Sequence, residues 1–155
     1  MTLIWLGACA APEDRYDVER RPADFVLRVT VEAGGGPSRG DSGKLPTQPG
    51  QYVVTPDREL RVALGPGATA DVYPGRTAVL RPEEMDELWR LTVRAWRSVE
   101  GQAAPAKRES RSGEMRVRFR GEGVSHAFKA PLAADGVRPL ANRLITLRGG
   151  EADPR

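Results

Sequence analysis

The sequence predicts an α+β domain, an antiparallel sheet built from hairpins with two helices packed on one face. Three observations carry this. Apolar residues alternate with polar ones along residues 25–32, 51–64 and 114–129, the period of half-buried strands. One long segment, 82–98, carries instead an apolar stripe at helical spacing. Between these stretches lie segments rich in glycine (17 in the chain) and proline (13), too polar to form core.

Taken in order, residues 10–23 are polar and charged, with almost nothing to bury, and read as a tether ahead of a single domain at 24–149. In the first strand, 25–32, Phe25, Leu27, Val29 and Val31 share one face, with Val26, Arg28, Thr30 and Glu32 on the other. Residues 33–50 form a glycine-rich segment expected to be a mobile loop. Residues 51–64 read as a hairpin. Tyr52 and Val54 alternate on one arm and Leu60, Val62 and Leu64 on the other, and Pro56-Asp57 supplies the turn. A short strand is expected at 77–80.

The helix at 82–98 opens with Pro82 and the acidic pair Glu83-Glu84, which suit the exposed amides and positive dipole of a helix start. Met85, Leu88, Trp89, Thr92, Val93 and Trp96 form its stripe, and the two tryptophans are expected to be the largest apolar block of the core. A second loop, 100–113, leads to a hairpin at 114–129. With Gly121-Glu122 as a type II′ turn, Phe119 faces Val124, Val117 faces His126 and Met115 faces Phe128, leaving one apolar and one charged side. A last helix runs from residue 138 or 139 to 147. It buries Leu140, Leu144 and Leu147 and stops at Gly149, and 150–155 read as a disordered tail.

At 155 residues the chain is long enough to bury one core. Its net charge of +3 is too small to argue for nucleic acid. No stretch approaches the ~20 apolar residues that span a bilayer. The single cysteine, Cys9, leaves no internal disulfide and no cysteine-based metal cluster.

Four features carry possible chemistry. Gly40-Asp41-Ser42-Gly43-Lys44 has the look of a nucleophile or phosphate loop. It lacks an upstream histidine for the first and the required glycine and hydroxyl positions for the second, so it reads as loop. His126 is the only imidazole; without a second histidine it reads as a buried, neutral, hydrogen-bonded ring on the apolar face of its strand. The Trp89/Trp96 stripe reads as core. Arg116, Arg118 and Arg120 form a row about 6.8 Å apart along one strand face, able either to hold an anionic partner or simply to keep an exposed strand solvated. No aromatic residues interleave that row, which argues against single-stranded nucleic acid. No catalytic constellation is apparent, and no cofactor or metal is expected.

Leu6-Gly7-Ala8-Cys9 resembles the lipobox of bacterial lipoproteins, an apolar residue and two small ones before a cysteine. The resemblance implies diacylation of Cys9, cleavage before it, and a domain anchored to the cell envelope outside the cytoplasm. No Lys or Arg precedes Cys9, so the expectation is a signal whose basic lead-in lies upstream of Met1. An incidental cysteine would instead leave the domain in the cytoplasm. From Leu80 onward the hydrophobic spacing is similar to that of emfourin-type metalloprotease inhibitors. The matching parts are the start Arg81-Pro82-Glu83-Glu84, the tryptophan-bearing helix, the hairpin with Val124-Ser125-His126-Ala127-Phe128 and the proline-started leucine helix. That resemblance implies a protein-binding module of the envelope. The leading expectation is a non-catalytic binding module acting on a partner protein or an anionic surface component. The alternatives are a protease inhibitor and a small enzyme built on carboxylates and arginines.

Overall fold

The computed structural model describes residues 16–32, 49–66, 68, 73–100 and 113–149. Within them, six strands form one antiparallel sheet: β1 (Val26–Glu32), β2 (Gly50–Val54), β3 (Glu59–Leu64), β4 (Arg76–Val79), β5 (Glu114–Gly121) and β6 (Val124–Pro131). Two helices, α1 (Pro82–Glu100) and α2 (Arg138–Arg148), complete the domain. The strand order is β4-β3-β2-β1-β5-β6. Strands β1 to β4 run outward as a meander; α1 then carries the chain back over the sheet, so that β5 pairs with the far side of β1. Both helices cover the same face, as the α+β expectation requires.

The core forms where the alternating faces meet the helical stripe. Phe25, Leu27, Val29, Val31, Tyr52, Val54, Leu60, Met115, Val117 and Phe119 are buried from the sheet side. Met85, Leu88, Trp89, Val93 and Trp96 meet them from α1, and Leu140, Ala141, Leu144 and Leu147 from α2. Thr92, also on the stripe, is buried with its hydroxyl donating to the Leu88 carbonyl at 2.7 Å, so it leaves no polar orphan. The Arg81 N–H donates to Glu84 Oε2 at 2.8 Å, a carboxylate reaching back over the first turn of α1. Arg143 of α2 lies 2.8 Å from Glu87 and 3.8 Å from Glu84, joining the helices by charge. Burial alone would raise the Glu84 carboxyl, but the Arg81 N–H and guanidinium, with Arg143, together hold it below its ordinary value. Tyr52 points its buried hydroxyl toward α2 without a well-formed hydrogen bond. Burial pushes that phenol up, and the Arg148 guanidinium acts in the opposite sense.

Two expectations are corrected. The segment before β1 is not all tether: from residue 16 it is part of the domain. Tyr16 is only 3% exposed, its ring set edge-on to Trp89 at 5.3 Å and to Trp96 at 5.9 Å. One aromatic ring in a charged stretch was enough to dock it. The strap is then pinned by Trp89 Nε1 donating to the Asp17 carbonyl (3.1 Å), Arg97 donating to the Tyr16 carbonyl (2.9 Å) and an Arg21–Asp86 ion pair (2.8 Å).

The second correction concerns the β5–β6 hairpin. Its two-residue turn is Glu122-Gly123, not Gly121-Glu122. Both turn residues have positive φ, 53° and 74°, the pattern of a type I′ turn, which favours glycine second. Phe119 therefore faces His126, Val117 faces Phe128 and Met115 faces Ala130. The slip is two residues, so each side chain keeps its expected face. Gly121 serves another purpose: a Cβ there would lie 3.0 Å from Pro22 Cγ and 3.1 Å from the Trp89 ring.

The remaining differences are small. The turn between β2 and β3 has Arg58 at a positive φ of 65°. The expected strand end Leu64 is exposed rather than core. Gly149 ends α2 with an ordinary right-handed φ of −69°. Of the expected loops, 33–48 and 101–112 lie outside the described residues, as do Cys9, the run Gly40–Lys44 and the tail from residue 150.

The close approach at Gly121 predicts that Gly121→Ala destabilises the domain by about 1–3 kcal/mol, the usual cost of overpacking. Urea unfolding followed by tryptophan fluorescence checks this; an unchanged midpoint would mean the strap and Trp89 do not lie against that strand.

Candidate functional site: an arginine-lined sheet face

The face of the sheet turned away from the helices gathers the cations of five strands. β5 contributes Arg116, Arg118 and Arg120, as the spacing predicted, and β1 contributes Arg28. Arg61 and Arg76 lie on the β3–β4 side, and Lys129 on β6. The acidic residues sharing this face are Glu32, Glu59 and Glu114, with Asp24 at its edge.

These acids are not spread evenly. Arg116 is held by Glu32 at 2.9 Å and by Glu114 at 3.1 Å, and Lys129 stands 4.0 Å from Glu114. At the other end of the row Arg120 is 3.8 Å from Asp24. Arg61 is bound by Glu59 at 2.6 Å, lies over the Tyr73 ring at 5.0 Å and donates to the Pro74 carbonyl, while Arg76 stands 3.7 Å from Glu59. Arg28 and Arg118 have no such partner among the described residues. They are also directly opposite each other in the β1–β5 register. Like charges placed opposite across a strand pair repel, so the centre of this face carries two arginines on opposed residues with no ion pair to offset them among the described residues.

The two differ in exposure, because the face is covered on the β2 side, where Gln51 and Val53 are buried. Arg118 is exposed and Arg28 half-buried. Across the sheet Arg118 is followed by the small Ala127, and Arg28 by the buried Val53. Above and below lie Val26 opposite Arg120, and Thr30 opposite Arg116.

The row depends on the hairpin turn for its position. The Asp24 carboxylate accepts the Glu122 N–H on one oxygen and the Gly123 N–H on the other, both at 2.8 Å. It thereby holds a turn whose first residue, Glu122, must take a left-handed backbone. The Gly123 N–H, followed by the Glu122 N–H and Arg120, outweighs desolvation and keeps the Asp24 carboxyl below its ordinary value of 3.8.

His126 lies on the opposite, helix-covered side. Its ring stacks on Phe119 at 5.1 Å and 22°, and meets Trp96 at 4.6 Å. Its Nε2 is 2.8 Å from the Tyr16 hydroxyl, which also donates to the Gly121 carbonyl at 3.2 Å. It is half-buried beside Phe119 rather than fully buried beside Val117. Among the described residues no group of three His, Cys, Asp or Glu side chains is placed to hold a metal ion, and no helix is long and apolar enough to cross a membrane. The Val124–Phe128 stretch that carries the inhibitor resemblance lies on β6, an edge of the sheet.

No family model matches this chain, and no curated protein matches it.

Sequence reasoning found the β5 row but missed Arg28 as its partner. Arg28 was assigned to the polar face of its strand, yet nothing local announces that β5, some ninety residues later, pairs beside β1.

A group whose folded pKa is depressed stabilises above its unfolded value and loses that contribution as pH falls through the folded value. Asp24→Asn should therefore be less stable than wild type near pH 7, and the gap should close as the pH drops below 3.8. Paired urea titrations across that range check it, together with faster amide exchange at Glu122 and Gly123 in the variant. A gap that persists undiminished at strongly acid pH would mean the carboxylate does not hold the turn.

Proposed function

We propose that this protein is a non-catalytic binding module of the bacterial cell envelope whose arginine-lined sheet face takes an anionic partner. The observation that carries the reading is the Arg28–Arg118 pair. Two arginines on opposed residues with no acidic partner among the described residues, beside face cations that do have one, suit an external anion. The lipobox-like Leu6-Gly7-Ala8-Cys9 supports the envelope setting, where a lipid anchor would hold the domain beside a membrane surface. A basic face of this kind contributes about 1 kcal/mol per cation at an anionic surface.

The test is co-sedimentation of the full chain with vesicles of neutral lipid, alone or with anionic phosphatidylglycerol. Wild type should bind only the anionic vesicles and release as salt rises. Arg28→Ala with Arg118→Ala should weaken binding by about 2 kcal/mol, roughly thirtyfold. Equal binding by wild type and double variant, or equal binding to neutral and anionic vesicles, would refute the reading.

A further inference from the structure

We propose that the outer edge of β6 is a docking site for a partner protein, which adds an extended strand with acidic side chains at alternate positions and apolar ones between. The proposal goes beyond the anionic-face reading and stands on different groups, the outward main chain of one strand.

The strand order leaves the sheet two edges, β4 and β6. Edge main chain is a template for pairing with another chain, and proteins blunt it with short strands, charge and irregular pairing. β4 is blunted in all three ways. It has four residues, begins with Arg76, and its register against β3 shifts at Leu60/Arg61. β6 is not blunted. It runs eight residues, carries one charge, Lys129, and keeps unbroken register with β5 from Gly121↔Val124 to Glu114↔Pro131. Ser125, Ala127 and Lys129 are exposed, whereas Gln51 and Val53 on the same face of β2 are buried. The face that is closed at β2 is therefore open at β6.

The phase of the ladder tells which main-chain groups point outward. In an antiparallel pair, opposed residues alternate between hydrogen-bonded and non-bonded pairs. Just past the end of the ladder the Leu132 N–H donates to the Gly113 carbonyl at 3.0 Å. Counting back by two, Ala130, Phe128, His126 and Val124 bond to β5, so Ser125, Ala127 and Lys129 turn their N–H and C=O groups outward. Three donors and three acceptors thus line the edge, the arrangement that takes up an extended peptide by strand addition.

The side chains of β6 define the partner. On the helix-covered side Val124 is 40% exposed and His126 and Phe128 are half-buried, a row that an added strand would cover. On the other side Ser125 and Ala127 are small, and behind them on β5 stand Arg120 and Arg118, with Lys129 opposite Arg116. All four cations are exposed, and Glu114 is the one acid of these two strands. Successive strand residues point to opposite faces. A strand laid along β6 therefore sets every second side chain on the cationic side, where acids are favoured, and the others beside Val124, His126 and Phe128. A second copy of this chain paired through β6 would bring two cation rows into one sheet, so charge favours the acidic partner.

The test adds a seven-residue peptide alternating glutamate and isoleucine to the full chain and follows amide hydrogen exchange. Without peptide, the Ser125, Ala127 and Lys129 amides should exchange fast, and those of His126, Phe128 and Ala130 slowly. The peptide should slow the first set by roughly tenfold or more and leave the second unchanged. A peptide alternating lysine and isoleucine should protect neither. Ala127→Pro removes an outward N–H that β5 does not use, a change that edge strands tolerate. It should abolish the response while His126 and Phe128 stay slow; if the variant unfolds, the wild-type pattern decides without it.

No protection by the acidic peptide, or equal protection by both peptides, would overturn the proposal. Slow exchange at Ser125, Ala127 and Lys129 before peptide is added would also overturn it, and protection that grows with protein concentration would assign the edge to a second copy. Binding to anionic vesicles that survives these outcomes leaves the anionic-face reading standing. Loss of vesicle binding with peptide protection intact would remove that reading alone.

Discussion

The structure depends on one docked ring. Tyr16 enters a cage formed by Trp89 and Trp96 of α1, Phe119 of β5 and His126 of β6, and so bridges the helix layer and the two strands farthest from the meander. Its hydroxyl reaches the Gly121 carbonyl and the His126 ring, and its own carbonyl accepts from Arg97. Most contacts in this group are edge-on, the geometry aromatic quadrupoles prefer, while Phe119 and His126 stack. A single side chain thus organises packing between α1 and the β5–β6 hairpin, both far from it in sequence.

From that ring the constraint passes outward to the functional face. Docking Tyr16 lays Pro22 over β5, and Pro22 and Trp89 together leave no space for a Cβ at residue 121. Two residues past Pro22, Asp24 holds both turn amides of the adjoining hairpin. That turn sets the β5–β6 register, which places Ala127 rather than Ser125 beside Arg118. The β1–β5 register then sets Arg118 against Arg28. Acids at both ends of the row pair with Arg116 and Arg120, so among the described residues the charge left without an ion pair lies at its centre. An exposed salt bridge contributes only about 0–1 kcal/mol to stability; here the pairs matter more for what they leave unpaired.

Much of this was legible in the residues. The alternation of Phe25, Leu27, Val29 and Val31, the α1 stripe from Met85 to Trp96 and the leucines of α2 each mark a buried face, and all are buried. Faces follow from local period, which a chain must display to fold. Register and adjacency do not. Gly121 looked like a turn residue because glycine commonly is one, and its actual reason, the approach of Trp89 and Pro22, comes from segments more than thirty residues away. Tyr16 was hidden for the complementary reason: a lone aromatic in a charged stretch has no period to reveal it. Arg28 was visible as a polar-face residue, yet its pairing with Arg118 exists only through the strand order.

The central claim is that the strap around Tyr16 is a structural member of the domain. Equilibrium urea unfolding of the full chain with Tyr16→Ala tests it most directly. Removal of a fully packed aromatic ring should cost about 3 kcal/mol or more, with loss of near-ultraviolet ellipticity from Trp89 and Trp96. A midpoint and ellipticity matching wild type would contradict the account and return residues 16–23 to the role of a tether.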